Sequence, residues 1–390
     1  MNRNLWLLAV CQGLFLTNNV TFIAINGLVG LSLAPLGWMA TLPVMGYVVG
    51  SALSTGVVAR TQRQLGRKRS FQLGLVVALL STLLCTYAAA SRNFWLLCFA
   101  TVVAGYYNAN AGLYRFAAAE LAAPAMREKA ISLVLAGGLL GAVLGPNLAA
   151  RTRTLFEVPF AGAYLSLGAV ALLAMLLLSF IEFAPAPPVV AGGDGGRPLR
   201  QIMAQPIFIV AAATGALSYG VMNLLMAATP LAMQQCRLPF ADTALVLEWH
   251  VIGMFAPGFF TGSLIKRFGP LPVMAVGVVL NLACIIVALS GVDLHQFLIA
   301  LFLLGVGWNF LFTGSTTLSL SAYSAQEKNR AQGALNFFVF ATLAVSSLAS
   351  GVLVTTQGWT LLNYGSLLPV LLAGVALAWL ARRTSHPATA

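Results

Sequence analysis

Two pairs of soft side chains raise the first chemical question in this chain of 390 residues. "VMNLLM" holds Met222 and Met226, and "LEWHVIGMF" holds His250 and Met254, each pair four residues apart. Residues at that spacing share one face of a helix, with Cβ atoms about 6 Å apart. The pairs are symmetric about Leu238: Met226 and His250 lie 12 residues from it, and Met222 and Met254 lie 16. Two antiparallel helices joined near Leu238 would bring all four to matching depth. Thioether sulfur is neutral and polarizable, a poor ligand for magnesium, calcium or zinc. Combined with imidazole it suits Cu(I), which needs no carboxylate to neutralise it. Met222, Met226, His250 and Met254 are therefore four soft donors that can converge into a copper-like site. Met233 and Cys236 are the expected accessory residues that would pass a soft cation inward. Glu248 is the nearest acid, available to orient the imidazole, carry a proton or face the headgroups. The competing reading is packing, because methionine is an ordinary filler of apolar gaps.

The elements that would position these residues are membrane helices. Hydrophobic residues make up 59% of the chain and charged residues 8%, and the mean hydropathy is +0.90, which leaves too little polar surface for a soluble globule. Apolar runs long enough to cross a hydrocarbon core of about 30 Å recur throughout. Twelve are expected: 5–30, 36–59, 70–90, 94–118, 130–150, 159–182, 206–230, 242–265, 271–291, 295–322, 332–356 and 361–381. They lack strand-period alternation, so they read as helices rather than barrel strands. The first run continues too far for a signal peptide and is read as a span. The fold class is an all-α membrane protein with twelve transmembrane helices in two six-helix bundles.

The net charge of +12 is a topology signal. Sixteen of the 21 Lys and Arg lie at the termini or in alternate loops, the densest group being Arg60, Arg63, Arg67, Lys68 and Arg69, against four in the opposite loops, Arg92, Arg151, Arg153 and Arg237. This pattern puts both termini in the cytoplasm and implies contact with lipid headgroups rather than nucleic acid. Arg115, near a helix end, is expected to snorkel or pair with Glu120. Five scattered cysteines without CxxC spacing imply no disulfide framework. The Pro- and Gly-rich stretch "APAPPVVAGGDGGRPLR" reads as a linker at 184–200, dividing bundles at 1–183 and 201–390. The halves repeat: Asn108 and Asn309 are 201 residues apart, as are Ala130 and Ala331.

No phosphate-binding loop, HExxH, GxSxG or dinucleotide fingerprint is present, so neither an enzyme nor an ATP-driven pump is expected. "GSLIKRFGP" fits G-x-L-x-x-R-x-G from Gly262 to Gly269, and "ARTQRQLGRKR" is a looser copy, with Lys266 where an acid is usual. The chain thereby resembles the major facilitator superfamily over its whole length, which implies alternating access around a site near the membrane midplane. Gly137, Gly138, Gly141, Gly145 and Pro146 partly resemble a motif of drug/proton antiporters and also suit close helix packing.

Within the superfamily, MxxxM followed by HxxxM resembles the CcoA-type copper importers of the bacterial inner membrane. That resemblance implies copper import for cytochrome c oxidase assembly. The expected partners are copper as cargo, membrane lipid and a cytoplasmic copper chaperone, with no resident cofactor and a monomeric state. The same subfamily is similar to riboflavin importers, which need aromatic planes and amide donors. Tyr106, Tyr107, Asn108, Asn110 and Tyr114, with Trp308 and Asn309, are the expected cavity residues on that alternative. A proton-coupled drug exporter is the third reading.

Overall fold

The computed structural model describes residues 3–36, 39, 42–183 and 196–385; most of the 184–200 linker lies outside them. The regular elements among the described residues are helical: α1 (Arg3–Leu33), α2 (Leu42–Ala90), α3 (Phe94–Ala111), α4 (Tyr114–Leu121), α5 (Arg127–Ala136), α6 (Leu139–Thr152), α7 (Ala161–Ser179), α8 (Leu199–Met203), α9 (Pro206–Gln235), α10 (Phe240–Phe255), α11 (Gly258–Phe268), α12 (Pro270–Ser290), α13 (Leu294–Ser319), α14 (Lys328–Thr356) and α15 (Gly358–Ser385). Ten stretches among them are long and apolar enough to cross a membrane. One of these, α2, runs 49 residues and breaks at Gly66 (φ 77°, ψ 173°), so its two arms each supply a span. With α3 and α4 as one further interrupted span, twelve crossings are accounted for.

The residues form two compact units. The first comprises Met1–Ala130, Gly137–Gly195 and Gln332–Ala341, and the second Ile131–Ala136, Gly196–Ala331 and Thr342–Ala390. The two pieces exchanged relative to chain order begin at residues 131 and 332, the same 201-residue offset that relates Asn108 to Asn309. The duplication is therefore visible in the packing as well as in the sequence.

The repeated loop motif has a backbone cause. Gly269, between α11 and α12, adopts φ 84° and ψ 164°, close to Gly66 at its break in α2. That region of positive φ and extended ψ is accessible essentially to glycine alone.

Helix contacts rest on small residues. A Cβ on Gly105 would lie 2.3 Å from the Ser51 amide nitrogen, and one on Gly50 would lie 2.1 Å from the Val102 carbonyl oxygen. In the second unit a Cβ on Gly305 would lie 2.4 Å from the His250 carbonyl oxygen, and one on Gly253 would lie 2.8 Å from that of Phe302. The first arm of α2 thus crosses α3 as α10 crosses α13. Lipid tails are as apolar as the helix faces, so such backbone approach takes the place of a hydrophobic drive. The glycines after α5 act likewise: a Cβ on Gly141 would lie 2.7 Å from the Thr17 nitrogen, which fixes α6 against α1.

Two carboxylates near helix ends are paired with arginines. Inside the first unit Arg67 holds Glu120, Nη2 to Oε1 at 2.5 Å, and donates to Gln332 Oε1 at 2.7 Å. Arg115 is buried and donates to Asn336 Oδ1 at 2.8 Å, so it does not snorkel. In the second unit the buried Glu327 carboxylate accepts from the Arg197 guanidinium at 2.8 and 2.9 Å, from the Arg197 amide at 2.7 Å and from the Ser324 amide at 2.9 Å. The Arg197 bonds, followed by the Ser324 amide, hold this carboxyl well below the usual carboxylate range. Its contribution is complete above the ordinary carboxylate pKa and is lost only as pH falls through the lower native value.

Two outcomes follow from these contacts. Gly105→Ala should destabilise the detergent-solubilised protein by about 1–3 kcal/mol, the usual cost of overpacking, whereas Gly56→Ala, with open space where its Cβ would stand, should leave the thermal transition unchanged or slightly raised. Glu327→Gln should speed tryptic cleavage at Arg197 roughly tenfold by loosening the clasp, while cleavage of the parent protein should be equally slow at pH 8 and at pH 6 relative to an unstructured peptide control.

Candidate substrate surfaces in the two units

At the α10–α13 crossing the His250 ring is fully buried, and its Nδ1 stands 2.7 Å from the Leu301 carbonyl oxygen. A carbonyl can only accept, so Nδ1 carries the hydrogen and the lone pair resides on Nε2. That Nε2 has no hydrogen-bond partner among the described residues. One turn along, the Met254 carbonyl accepts from Asn309 Nδ2 at 2.6 Å, and Asn309 Oδ1 accepts from Thr261 Oγ1 at 2.7 Å. The His250 and Met254 backbone thus lies against α13, and α10 makes its main contact with α13 and only a slight one with α9.

Met222 is buried and Met226 half-buried on α9. Met233 is buried within α9, while Cys236 caps that helix, its thiol pushed up by partial burial and then by Asp293 at the start of α13. Glu248 is exposed.

The second unit also gathers aromatic rings from three helices. Trp308 and Phe312 stack with centroids 4.9 Å apart and planes 18° apart. Tyr219 meets both edge-on, at 5.3 and 5.1 Å, and Phe255 meets Trp308 at 5.7 Å. Trp308 Nε1 is buried without an acceptor among the described residues, and Tyr219 is only partly buried. Trp308 is legible in the sequence as a cavity residue; Tyr219, Phe255 and Phe312 are not. The signals available were the i, i+4 spacing of Trp308 and Phe312 and the adjacency of Phe255 to Met254.

The first unit brings amides together along α1 and α3. Asn108 donates to Ser51 Oγ at 2.8 Å and accepts from the partly exposed Asn19 at 3.2 Å. This is the counterpart of the Asn309 bond in the second unit, since Ser51 and Met254 stand beside the equivalent glycines of the two crossings. Asn110 is spent on structure, donating to the Ser70 carbonyl at 2.8 Å and accepting from Gln62 at 2.9 Å. The Tyr106 hydroxyl bonds Thr61 Oγ1 at 3.0 Å. Tyr114 is sealed edge-on between Phe15 and Phe71. Tyr107 packs edge-on against Phe15 at 5.5 Å, with its hydroxyl buried and without a regular hydrogen bond among the described residues. Of the seven expected cavity residues, Tyr107 and Trp308 are buried and keep a polar atom without a partner among the described residues, and Asn108 and Tyr106 are hydrogen-bonded to α2. Asn110, Tyr114 and Asn309 serve packing, and Asn19 joins the group as a residue the sequence did not single out.

The histidine geometry has a direct test. His250→Ala should cost about 1–3 kcal/mol in thermal or denaturant unfolding, because it removes a buried hydrogen bond between helices, while Met226→Ala, at a half-buried position, should cost visibly less.

Comparison with known proteins settles the family. The family model described as Major Facilitator Superfamily matches residues 5–256 and 211–390. The chain is 38% identical over 367 residues to the riboflavin transporter RfnT of Brucella anthropi, covering 93% of this chain and 92% of that protein. It is 27% identical to YddS, an uncharacterized MFS-type transporter of Bacillus subtilis, covering 90% of this chain and 84% of that protein. Among solved structures, the transporter FucP in its outward conformation matches with a TM-score of 0.78 at 16% identity, covering 98% of this chain and 99% of that one. A bacterial homologue of the iron transporter ferroportin, outward-facing, matches with a TM-score of 0.77 at 16% identity, covering 98% of this chain and all of that one.

These findings correct the copper-importer expectation. The relative matched at 38% identity along nearly the whole chain is a riboflavin transporter, and the oxidase-assembly role and the copper chaperone lose their basis with it. At the α10–α13 crossing the imidazole spends Nδ1 on the Leu301 carbonyl of the neighbouring helix. The protein is a transporter and not an enzyme, and by the family match and the whole-length likeness to RfnT the chain belongs to the Major Facilitator Superfamily.

Proposed function

We propose that the protein carries riboflavin into the cytoplasm across the bacterial inner membrane, as a gradient-driven transporter with both termini cytoplasmic. The observation that carries this reading is the 38% identity to a riboflavin transporter along 93% of the chain. The side-chain chemistry agrees with it. A flavin offers a large polarizable plane, which aromatic rings bind through offset stacking and edge contacts, and a heteroatom-rich edge and polyol, which amides bind in pairs.

The Trp308–Phe312 stack rimmed by the partly exposed Tyr219 supports the first need, and its unmatched indole N–H supports a hydrogen bond to a flavin carbonyl. Asn19 and Asn108 in the first unit support the second. The positive-inside pattern of the loops supports the orientation. The sequence carries no ATP-binding loop, which supports coupling to an existing gradient.

The test is uptake of labelled riboflavin by bacterial cells that can neither make nor import it. Expression of the protein should restore growth on low-micromolar riboflavin. Trp308→Ala and Tyr219→Ala, at matched membrane abundance, should each lower uptake about tenfold or more, since stacking on an aromatic ring is worth about 1–3 kcal/mol per base-like ring. Asn19→Ala should lower it by a smaller factor. Uptake no greater than in cells carrying an empty vector would remove the proposal.

A further inference from the structure

In the second unit α10 and α11 form one broken helix. Pro257 carries no N–H and parts the two, and carbonyls on both sides of the break accept from side chains of other helices. Before it, Met254 accepts from Asn309 of α13 at 2.6 Å. After it, Gly258 accepts from the Ser132 hydroxyl of α5, and the Gly262 N–H donates to the same Ser132 oxygen at 2.9 Å. Gly258 and Gly262 are four residues apart, the spacing of a backbone ladder bond. The Ser132 hydroxyl therefore bridges both ends of one turn of α11. The fit is close: Ser132 is 1% exposed, both glycines are buried, and a Cβ on Gly258 would lie 2.8 Å from the Ser132 carbonyl oxygen and 3.0 Å from the Ala136 nitrogen.

This tie differs from the Asn309 bond in what carries it. Ser132 lies in the exchanged piece Ile131–Ala136, whose neighbours in the chain, Ala130 and Gly137, belong to the first unit, whereas α13 lies wholly in the second with the α10 that it bonds. Alternating access rocks one bundle against the other, and such a motion pulls on Ser132 but not on Asn309. Release leaves no polar group bare. The Gly262 N–H and the Gly258 carbonyl can close their own turn, and a serine hydroxyl can turn to a carbonyl of its own helix, as Ser81 does to Val77 at 2.7 Å and Thr214 to Val210 at 2.6 Å. The tie is thus worth the modest net value of a hydrogen bond when made, without the penalty of an unmatched buried group when broken. The duplication does not repeat it. Gly333 stands 201 residues on from Ser132, has no hydroxyl, and packs so that a Cβ on it would lie 3.1 Å from Ala59 Cβ.

We infer that Ser132 is a releasable latch, its hydroxyl holding α5 to the first turn of α11 in this structure and leaving that turn in the alternate conformation of the transport cycle. The inference rests on the chain being a transporter and not on its cargo, and no flavin enters the test. Nitroxide labels at Glu128→Cys and Lys266→Cys, at the start of α5 and in the last turn of α11, report their separation in nanodiscs by pulsed electron resonance, with Cys98 and Cys236 replaced by serine and the buried Cys11, Cys85 and Cys284 retained. Ser132→Ala should raise the ratio of long to short separations about threefold or more, the worth of one net hydrogen bond. It should also keep the melting temperature within about 2 °C of the parent's, and hydrogen exchange across 258–268 should stay as slow, because α11 closes its own turn. A ratio that Ser132→Ala leaves unchanged, or a single separation in parent and variant alike, would overturn the latch. So would a variant that melts earlier, loses protection across 258–268 or fails to fold, since the hydroxyl would then be a fixed part of α11.

Discussion

The constraint on which the rest depends is that helices in a bilayer must find each other without help from water. Lipid does not repel an apolar helix, so association comes from close backbone approach and from hydrogen bonds that have no better partner. Here both devices coincide. Gly50 and Gly105 let α2 and α3 touch, and Asn108 then bonds Ser51. Gly253 and Gly305 let α10 and α13 touch, and Asn309 and His250 then bond carbonyls across the crossing. Each unit holds one such crossing, and Asn108 in the first and His250 and Asn309 in the second stand at it.

The same logic sorts polar groups into those that build and those with capacity to spare. Asn110, Gln62, Arg67, Glu120 and Gln332 satisfy one another inside the first unit, and Glu327 is saturated by Arg197 and Ser324 in the second. A group already satisfied has little to offer a passing solute. Tyr107, Asn18, Trp308 and His250 each hold a buried polar atom without a partner among the described residues, an expense a membrane protein bears only for a purpose or an occupant.

Much of the fold was legible in the sequence because its signals are coarse and physical: the length of apolar runs, the alternation of loop charge, the constant offset between halves. Gly66 and Gly269 were visible as a repeated motif, and their shared backbone conformation explains why glycine recurs there. The candidate site was less legible. Spacing by four says that His250 and Met254 share a face but not which helix that face meets, and the symmetry about Leu238 assumed α9 where the main neighbour is α13. Tyr219 and Phe312 were lost among 23 phenylalanines and nine tyrosines, since a ring's partners are decided by tertiary packing. The substrate reading failed for a related reason: four residues at suggestive spacing were weighed above the rest of the chain, whose likeness to a riboflavin transporter runs its whole length.

The central claim is that this chain recognises the flavin ring by stacking it against the aromatic cluster of the second unit. Its most direct test is titration of purified protein with riboflavin, read by quenching of the flavin's own fluorescence. The account expects saturable quenching at one flavin per chain, lost in Trp308→Ala and preserved in His250→Gln. Flavin fluorescence that stays unquenched at every protein concentration, or quenching that Trp308→Ala leaves intact, would contradict it.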